Sequence, residues 1–186
     1  MTVLGVAAFL YHIASRLAYV VGVGWMLRRP NRQAQDFPRF RRAAALLMNN
    51  DAVSVVALCV FTHDTIHGPN RVLLVIVGVL LTVTGLGVKL WARSAVGPDN
   101  YYWADFFGPP PPPRELGGPY RFLSSPMYTV GNLHLWGLAL IAASLPGLIA
   151  AAFDYIAILA FNAVVEQPHV RKHYGVEQKR RSEASH

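Results

Sequence analysis

Residues 126–168 read PMYTVGNLHLWGLALIAASLPGLIAAAFDYIAILAFNAVVEQP, two apolar runs separated by a proline and a glycine. From Pro126 to Pro146 is twenty steps, about 30 Å at 1.5 Å per residue, the thickness of a hydrocarbon core. Ser125 suits an N-cap and Pro126 the first helical position, which predicts a helix from Pro126 to Leu145. Pro146-Gly147 then turns the chain, and a second helix from Leu148 to Val165 runs back and ends at Glu166-Gln167-Pro168. Helices joined by so short a link are antiparallel neighbours, so Tyr128 and Glu166 return to one membrane face. A polar site at that face is the expected product.

The rest of the chain has the same character. Hydrophobic residues make up 53% of the 186 and charged residues only 15%, against about 25% charged in a soluble domain. Mean hydropathy is +0.31, and further apolar runs occupy Val3 to Leu27, Ala43 to Phe61 and Arg71 to Ala92. Together with the hairpin they predict an all-α polytopic membrane helix bundle of about five transmembrane helices, read as one domain over residues 1–186. Asn49, Asn50 and Asp51 interrupt the second run, which is expected to cross at a tilt. No basic segment precedes the first run, which is expected to stay as an anchor. The single cysteine, Cys59, excludes an internal disulfide.

The formal charge is +7, and fifteen of the 17 basic residues, all but Arg16 and Arg71, fall in three groups. Arg28, Arg29, Arg32, Arg39, Arg41 and Arg42 follow the first run. Lys89, Arg93, Arg114 and Arg121 follow the third, and Arg171, Lys172, Lys179, Arg180 and Arg181 follow the last. Cytoplasmic loops carry the excess of Lys and Arg, so the N-terminus is expected outside and the C-terminus in the cytoplasm, with only Arg71 in a loop on the wrong side. Basicity is then a topology signal, and no nucleic-acid partner is expected.

Two segments break the helical pattern: Arg29 to Arg42, and Ser94 to Leu123. The latter holds Tyr101, Tyr102, Trp103 and five prolines, Pro109 to Pro113, a stiff polyproline II spacer. Arg16 and Asp51 lie at membrane depth, where mutual pairing would neutralise two costly charges, while Asp154 has no evident partner. His63 and His67 are four apart, as are His169 and His173, but no third ligand accompanies either pair and no metal is expected. Gly85 and Gly87 are about 200° apart on a helix and so share no packing face; close approach of the backbone to a ligand is the rival reading.

Two segments together carry a resemblance: Gly118-Pro119-Tyr120-Arg121-Phe122-Leu123-Ser124-Ser125-Pro126-Met127-Tyr128, and, after the hairpin, Val165-Glu166-Gln167-Pro168-His169-Val170-Arg171-Lys172-His173-Tyr174-Gly175. They resemble the integral-membrane methyltransferases, which include phosphatidylethanolamine N-methyltransferases and isoprenylcysteine carboxyl methyltransferases. The likeness spans about residues 86–175. Met127 and the tail after Glu166 look more like the phospholipid enzymes. Ser124-Ser125 replaces an Arg-His before the proline, and Gln167 replaces the second acid of a pair.

The resemblance implies S-adenosylmethionine as methyl donor, held by Gly85, Gly87, Tyr120, Arg121, Ser125, Pro126, Tyr128, His134, Glu166 and Gln167. A carboxylate at Glu166 would balance the sulfonium and accept from the donor's ammonium or ribose. Asp99, Tyr101, Tyr102 and Trp103 are expected to form the acceptor surface, since aromatic faces hold a lipid ammonium. Asp105 is expected to take the proton that the amine must lose, with Tyr128 and Glu166 beside it as catalytic groups.

The expected function is methyl transfer to a membrane-embedded acceptor, the amine of phosphatidylethanolamine or its methylated derivatives. A prenylcysteine carboxylate, a thiol or another lipophilic molecule is the alternative acceptor, and a non-enzymatic bundle that assembles with partners the alternative class. The expected setting is a bacterial inner membrane with the site at its cytoplasmic face, the lipid being both substrate and solvent.

Overall fold

The computed structural model describes residues 2–68, 70–108, 117–123 and 125–172. The polyproline run, Arg114, Ser124, His173 to Gly175 and the last three basic residues lie outside these. Among the described residues there are five α-helices and no strands: α1 Val3–Arg28, α2 Phe37–Phe61, α3 Arg71–Val96, α4 Leu133–Ile141 and α5 Leu145–Phe161. Four helical segments are long and apolar enough to cross a membrane, Val3–Arg28, Ala34–Phe61, Arg71–Val96 and Leu145–Lys172.

Polar side chains are buried at the centre of the bundle, and many large apolar ones face outward. The buried stripe of α1 repeats every three or four residues through Gly5, Ala8, His12, Arg16, Tyr19, Val23 and Leu27. Leu10, Leu17, Val21 and Trp25 on the same helix are exposed. A soluble protein puts those classes the other way round; lipid is as apolar as leucine, so burial in a membrane selects small residues and satisfied polar groups.

The centre is an ionic cluster. Arg16 reaches Asp154 from Nε to Oδ1 at 2.7 Å and from Nη2 to Oδ2 at 2.9 Å, and its Nη2 pairs with Asp51 Oδ2 at 2.9 Å. His12 Nε2 lies 3.2 Å from the same Asp154 carboxylate and its Nδ1 2.9 Å from Ser54 Oγ. The expected Arg16–Asp51 pair is present. Its third member is Asp154, for which sequence offered no partner, and through it α1, α2 and α5 are tied together at mid-length.

The fourth predicted span needs correction. Ser125 and Pro126 do not start an α-helix: turns closed by Tyr128 and Thr129 N–H to the Ser125 carbonyl lead into a 3-10 turn at Val130–Asn132. Regular helix begins only at Leu133 and ends at Ile141, about 14 Å and half a bilayer. Glycines let this short helix pack closely. A Cβ on Gly78 would lie 2.8 Å from the Gly137 carbonyl oxygen, one on Gly85 2.4 Å from His134 N, and one on Gly137 2.6 Å from Thr82 N. Gly78 and Gly85, seven apart, share one face of α3, and α4 lies backbone to backbone against it.

The reversal also sits earlier than predicted. Pro146 and Gly147 are inside the first turn of α5, where an N–H has no partner within the helix and a proline gives up nothing. Ser144 caps that helix, its Oγ accepting from Gly147 N at 2.9 Å, and Ala143 takes the left-handed conformation at φ 47°. Loop residues pin the turn, Asp64 N donating to the Ala142 carbonyl at 2.9 Å and Ile66 N to that of Ala143 at 2.8 Å. Two further boundaries move: α2 starts at Phe37 with Pro38 in its first turn, and helix continues beyond Val165 to Lys172 through a π-turn at Asn162–Glu166. Pro168 accounts for that irregularity, because its ring has no N–H for the Val164 carbonyl and would collide with it in an unbroken ladder.

Candidate active site

Glu166 closes the π-turn, in which Gln167 N donates to the Asn162 carbonyl five residues back. Widening the helix there turns the Glu166 side chain inward, and π-turns inside α-helices recur at functional sites. Two donors converge on its Oε1: the indole Nε1 of Trp103 at 2.5 Å and the hydroxyl of Tyr128. Oε2 is therefore the oxygen available to a ligand's ammonium or hydroxyl. Three distant stretches of chain meet at this carboxylate, the loop after α3, the turns before α4 and the end of α5.

Around it lies an aromatic wall. Trp103 is buried at 7% exposure within a core of Tyr19, Phe40, Phe106, Phe107 and Phe161, its ring edge-on to Phe161 at 5.5 Å and to Phe40 at 6.3 Å. Trp103 takes a left-handed backbone at φ 56° between two 3-10 turns, a cost accepted where surroundings over-determine the conformation. Burial first, and the Glu166 charge second, hold the Tyr128 hydroxyl well above its ordinary value, so it donates as a neutral phenol. The same two causes push Tyr120 up to about 12.

Asp105 stands beside this centre, its Oδ2 3.3 Å from His169 Nε2, and the His169 ring stacks on Phe106 at 3.7 Å and 13°. The predicted acceptor surface is divided. Trp103 faces inward to Glu166, whereas Tyr101 and Tyr102 are half-buried under guanidinium groups, Arg93 at 5.0 Å and Arg41 at 5.4 Å from the ring centres. Asp99 lies at the surface, paired with Arg41 at 2.9 Å.

The remaining predicted residues scatter. Gly85 is filled by the α4 backbone at His134, while a Cβ on Gly87 would meet nothing within 4 Å, as their separation around the helix requires. His134 is held through Nδ1 by the Gly131 carbonyl at 2.6 Å. Pro126 is fully buried, and Ser125 Oγ accepts from Asn162 Nδ2 at 3.3 Å. Arg121 and Gln167 are exposed. Among the described residues no three His, Cys, Asp or Glu side chains gather as metal ligands; His63 Nδ1 bonds Asp64 at 3.0 Å, and Asp64 also pairs with Arg71.

Sequence reading missed Asn162 and the inward role of Trp103. Pro168, two residues beyond Glu166, was the available signal for the π-turn. Three of the basic residues share one end of the bundle with Glu166: Arg41 meets Asp99, Arg93 covers Tyr101, and Arg28 Nη2 donates to the Val164 carbonyl at 2.9 Å.

Fold and site define an integral-membrane helical protein with a half-buried, doubly hydrogen-bonded carboxylate at its basic end. Residues 73–177 match the phospholipid methyltransferase family, and the chain belongs to that family. It is 30% identical over 180 residues to the phosphatidylethanolamine N-methyltransferase of Chaetomium globosum, an alignment covering 88% of this chain and 19% of that protein. Identity to the enzyme of the same name from Aspergillus terreus is 34% over 141 residues, 73% of this chain and 14% of the relative. For Clavispora lusitaniae it is 32% over 151 residues, 73% and 17%. The chain thus spans less than a fifth of the length of these fungal relatives. No solved structure matches it.

Proposed function

We propose that the chain is an S-adenosylmethionine-dependent methyltransferase whose acceptor is a membrane-embedded amine, that of phosphatidylethanolamine or its methylated derivatives. The observation that carries this reading is the half-buried Glu166 carboxylate fixed by Tyr128 and Trp103. Its donor set suits the methyl donor: one carboxylate oxygen for an ammonium or ribose hydroxyl, and negative charge for a sulfonium. When bound, the donor supplies an electrophilic methyl carbon.

The chain's own residues then bind, orient and exclude water. Glu166 holds the donor, with Tyr128 and Trp103 fixing the carboxylate so that little freedom is lost on binding. The aromatic wall of Trp103, Phe106 and Phe161 keeps the reacting centre dry. Asp105, steadied by His169, accepts the proton that an ammonium headgroup must lose before its nitrogen can attack. The shared end of Glu166 and the basic residues supports a cytoplasmic site, where a soluble donor arrives from water and the lipid from the bilayer.

Nanodisc-embedded protein tests the reading. Millimolar S-adenosylmethionine should raise the melting temperature and give binding heat, and labelled methyl should pass to phosphatidylethanolamine. Absence of both heat and stabilisation in the wild-type protein would overturn it. Transfer to a prenylcysteine and not to the amine would keep the donor and replace the acceptor.

A further inference from the structure

α1 meets the end of α5 and the π-turn that follows it at Gly24, where an added Cβ would lie 3.3 Å from Val165 Cγ2 and 3.6 Å from the Phe161 ring. Beside this contact the helices leave a groove of about 370 Å³ whose walls include Val20, Gly24, Trp25, Arg28, Phe161 and Val164. It is apolar along its length and cationic at one end. The Val164 carbonyl, deprived of a backbone donor by Pro168 four residues on, receives Arg28 Nη2 at 2.9 Å, which fixes that guanidinium at the rim. Arg29 stacks over the Trp25 ring at 3.7 Å.

A hydrocarbon trough ending in two guanidinium groups fits an amphiphile with an anionic group at the boundary of its chains. Arginine binds phosphate oxygens through paired N–H donors, and four of the five donors on Arg28 are not used on Val164. Position narrows the occupant. Phe161 forms a wall of the groove and packs against Trp103, whose indole donates to Glu166, and Val165 directly precedes that carboxylate. A molecule seated here presents its headgroup beside the catalytic centre.

We propose that this groove seats the acceptor phospholipid, an acyl chain lying between α1 and α5 and the phosphate held by Arg28 and Arg29. The inference rests on the methyltransferase reading and specifies where its lipid docks. The test compares wild-type protein with Arg28→Leu and with Ala160→Phe, which fills the groove from an exposed position. Three quantities are read: donor binding in nanodiscs, the mole fraction of phosphatidylethanolamine for half-maximal methyl transfer, and phosphatidylethanolamine retained per protein in detergent by native mass spectrometry.

Both variants should bind S-adenosylmethionine as the wild type does. Each should need about tenfold more lipid, the equivalent of one charge-assisted hydrogen bond for Arg28, and each should retain less of it. Donor binding intact in both, with lipid dependence and retained lipid unchanged, would overturn the groove. Loss of donor binding in the wild type itself would instead remove the parent reading, and retained lipid would still decide the groove.

Discussion

Tyr128 and Glu166, 38 positions apart, are joined by a hydrogen bond from the phenol to carboxylate Oε1. The same oxygen receives Trp103, so removing one donor leaves the other in place. Glu166→Gln keeps the shape and removes the charge. Donor affinity should fall by about 10- to 100-fold, the range for a lost charge-assisted bond, while Tyr128→Phe should cost less because Trp103 still orients the carboxylate. Calorimetry on both variants, with melting curves to show that the fold persists, checks the order. Unchanged affinity in both would move the donor elsewhere.

The central ionic cluster carries a stability prediction. Arg16→Leu leaves Asp51 and Asp154 buried without their shared cation, which should destabilise by about 3–5 kcal/mol. Replacing all three members, as in Arg16→Met with Asp51→Leu and Asp154→Leu, should cost less than Arg16→Leu alone, since a filled apolar site carries no stranded charge. Thermal unfolding in detergent measures both variants; a triple variant less stable than Arg16→Leu would contradict the argument.

Gly85 and Gly87 should respond in opposite senses. Gly85→Ala drives a methyl against the His134 backbone at 2.4 Å, so α3 and α4 must part, at about 1–3 kcal/mol. Gly87→Ala meets open space and, by helix propensity alone, should stabilise by about 0.5–1 kcal/mol. If Gly87 is also where the donor lies against α3, that alanine will weaken donor binding while raising the melting temperature. A Gly87→Ala protein that is more stable and binds the donor normally would take Gly87 out of the site.

Much of this was legible in sequence. Runs of apolar residues gave the long helices, and the chain reversal near Pro146 returned Tyr128 to Glu166. Other features depend on contacts that no linear pattern displays. The close seat of α4 on α3 depends on Gly78, Gly85 and Gly137 meeting across two helices, whereas a one-dimensional reading sees only apolar length. Asp154 looked unpartnered because His12 and Arg16 lie more than 130 positions away. Trp103, expected on the acceptor surface, instead turns its indole toward Glu166 from a left-handed backbone.

Tyr120 gives a pH prediction outside the membrane-crossing helices. Its phenol is raised from an ordinary 10.0 to about 12 by burial and then by the Glu166 charge. A group whose pKa is higher folded than unfolded adds stability that is whole below the unfolded value and disappears as pH rises through the folded one. Its contribution should therefore hold to about pH 10 and be lost between about 10 and 12. Tyr120→Phe should melt less steeply with pH across that window than the wild type and match its pH dependence below it. Comparing melting temperatures from pH 8 to 12 isolates the effect, since the other tyrosines are common to both proteins. An identical alkaline decline in the two would mean that Tyr120 is not held neutral beside Glu166.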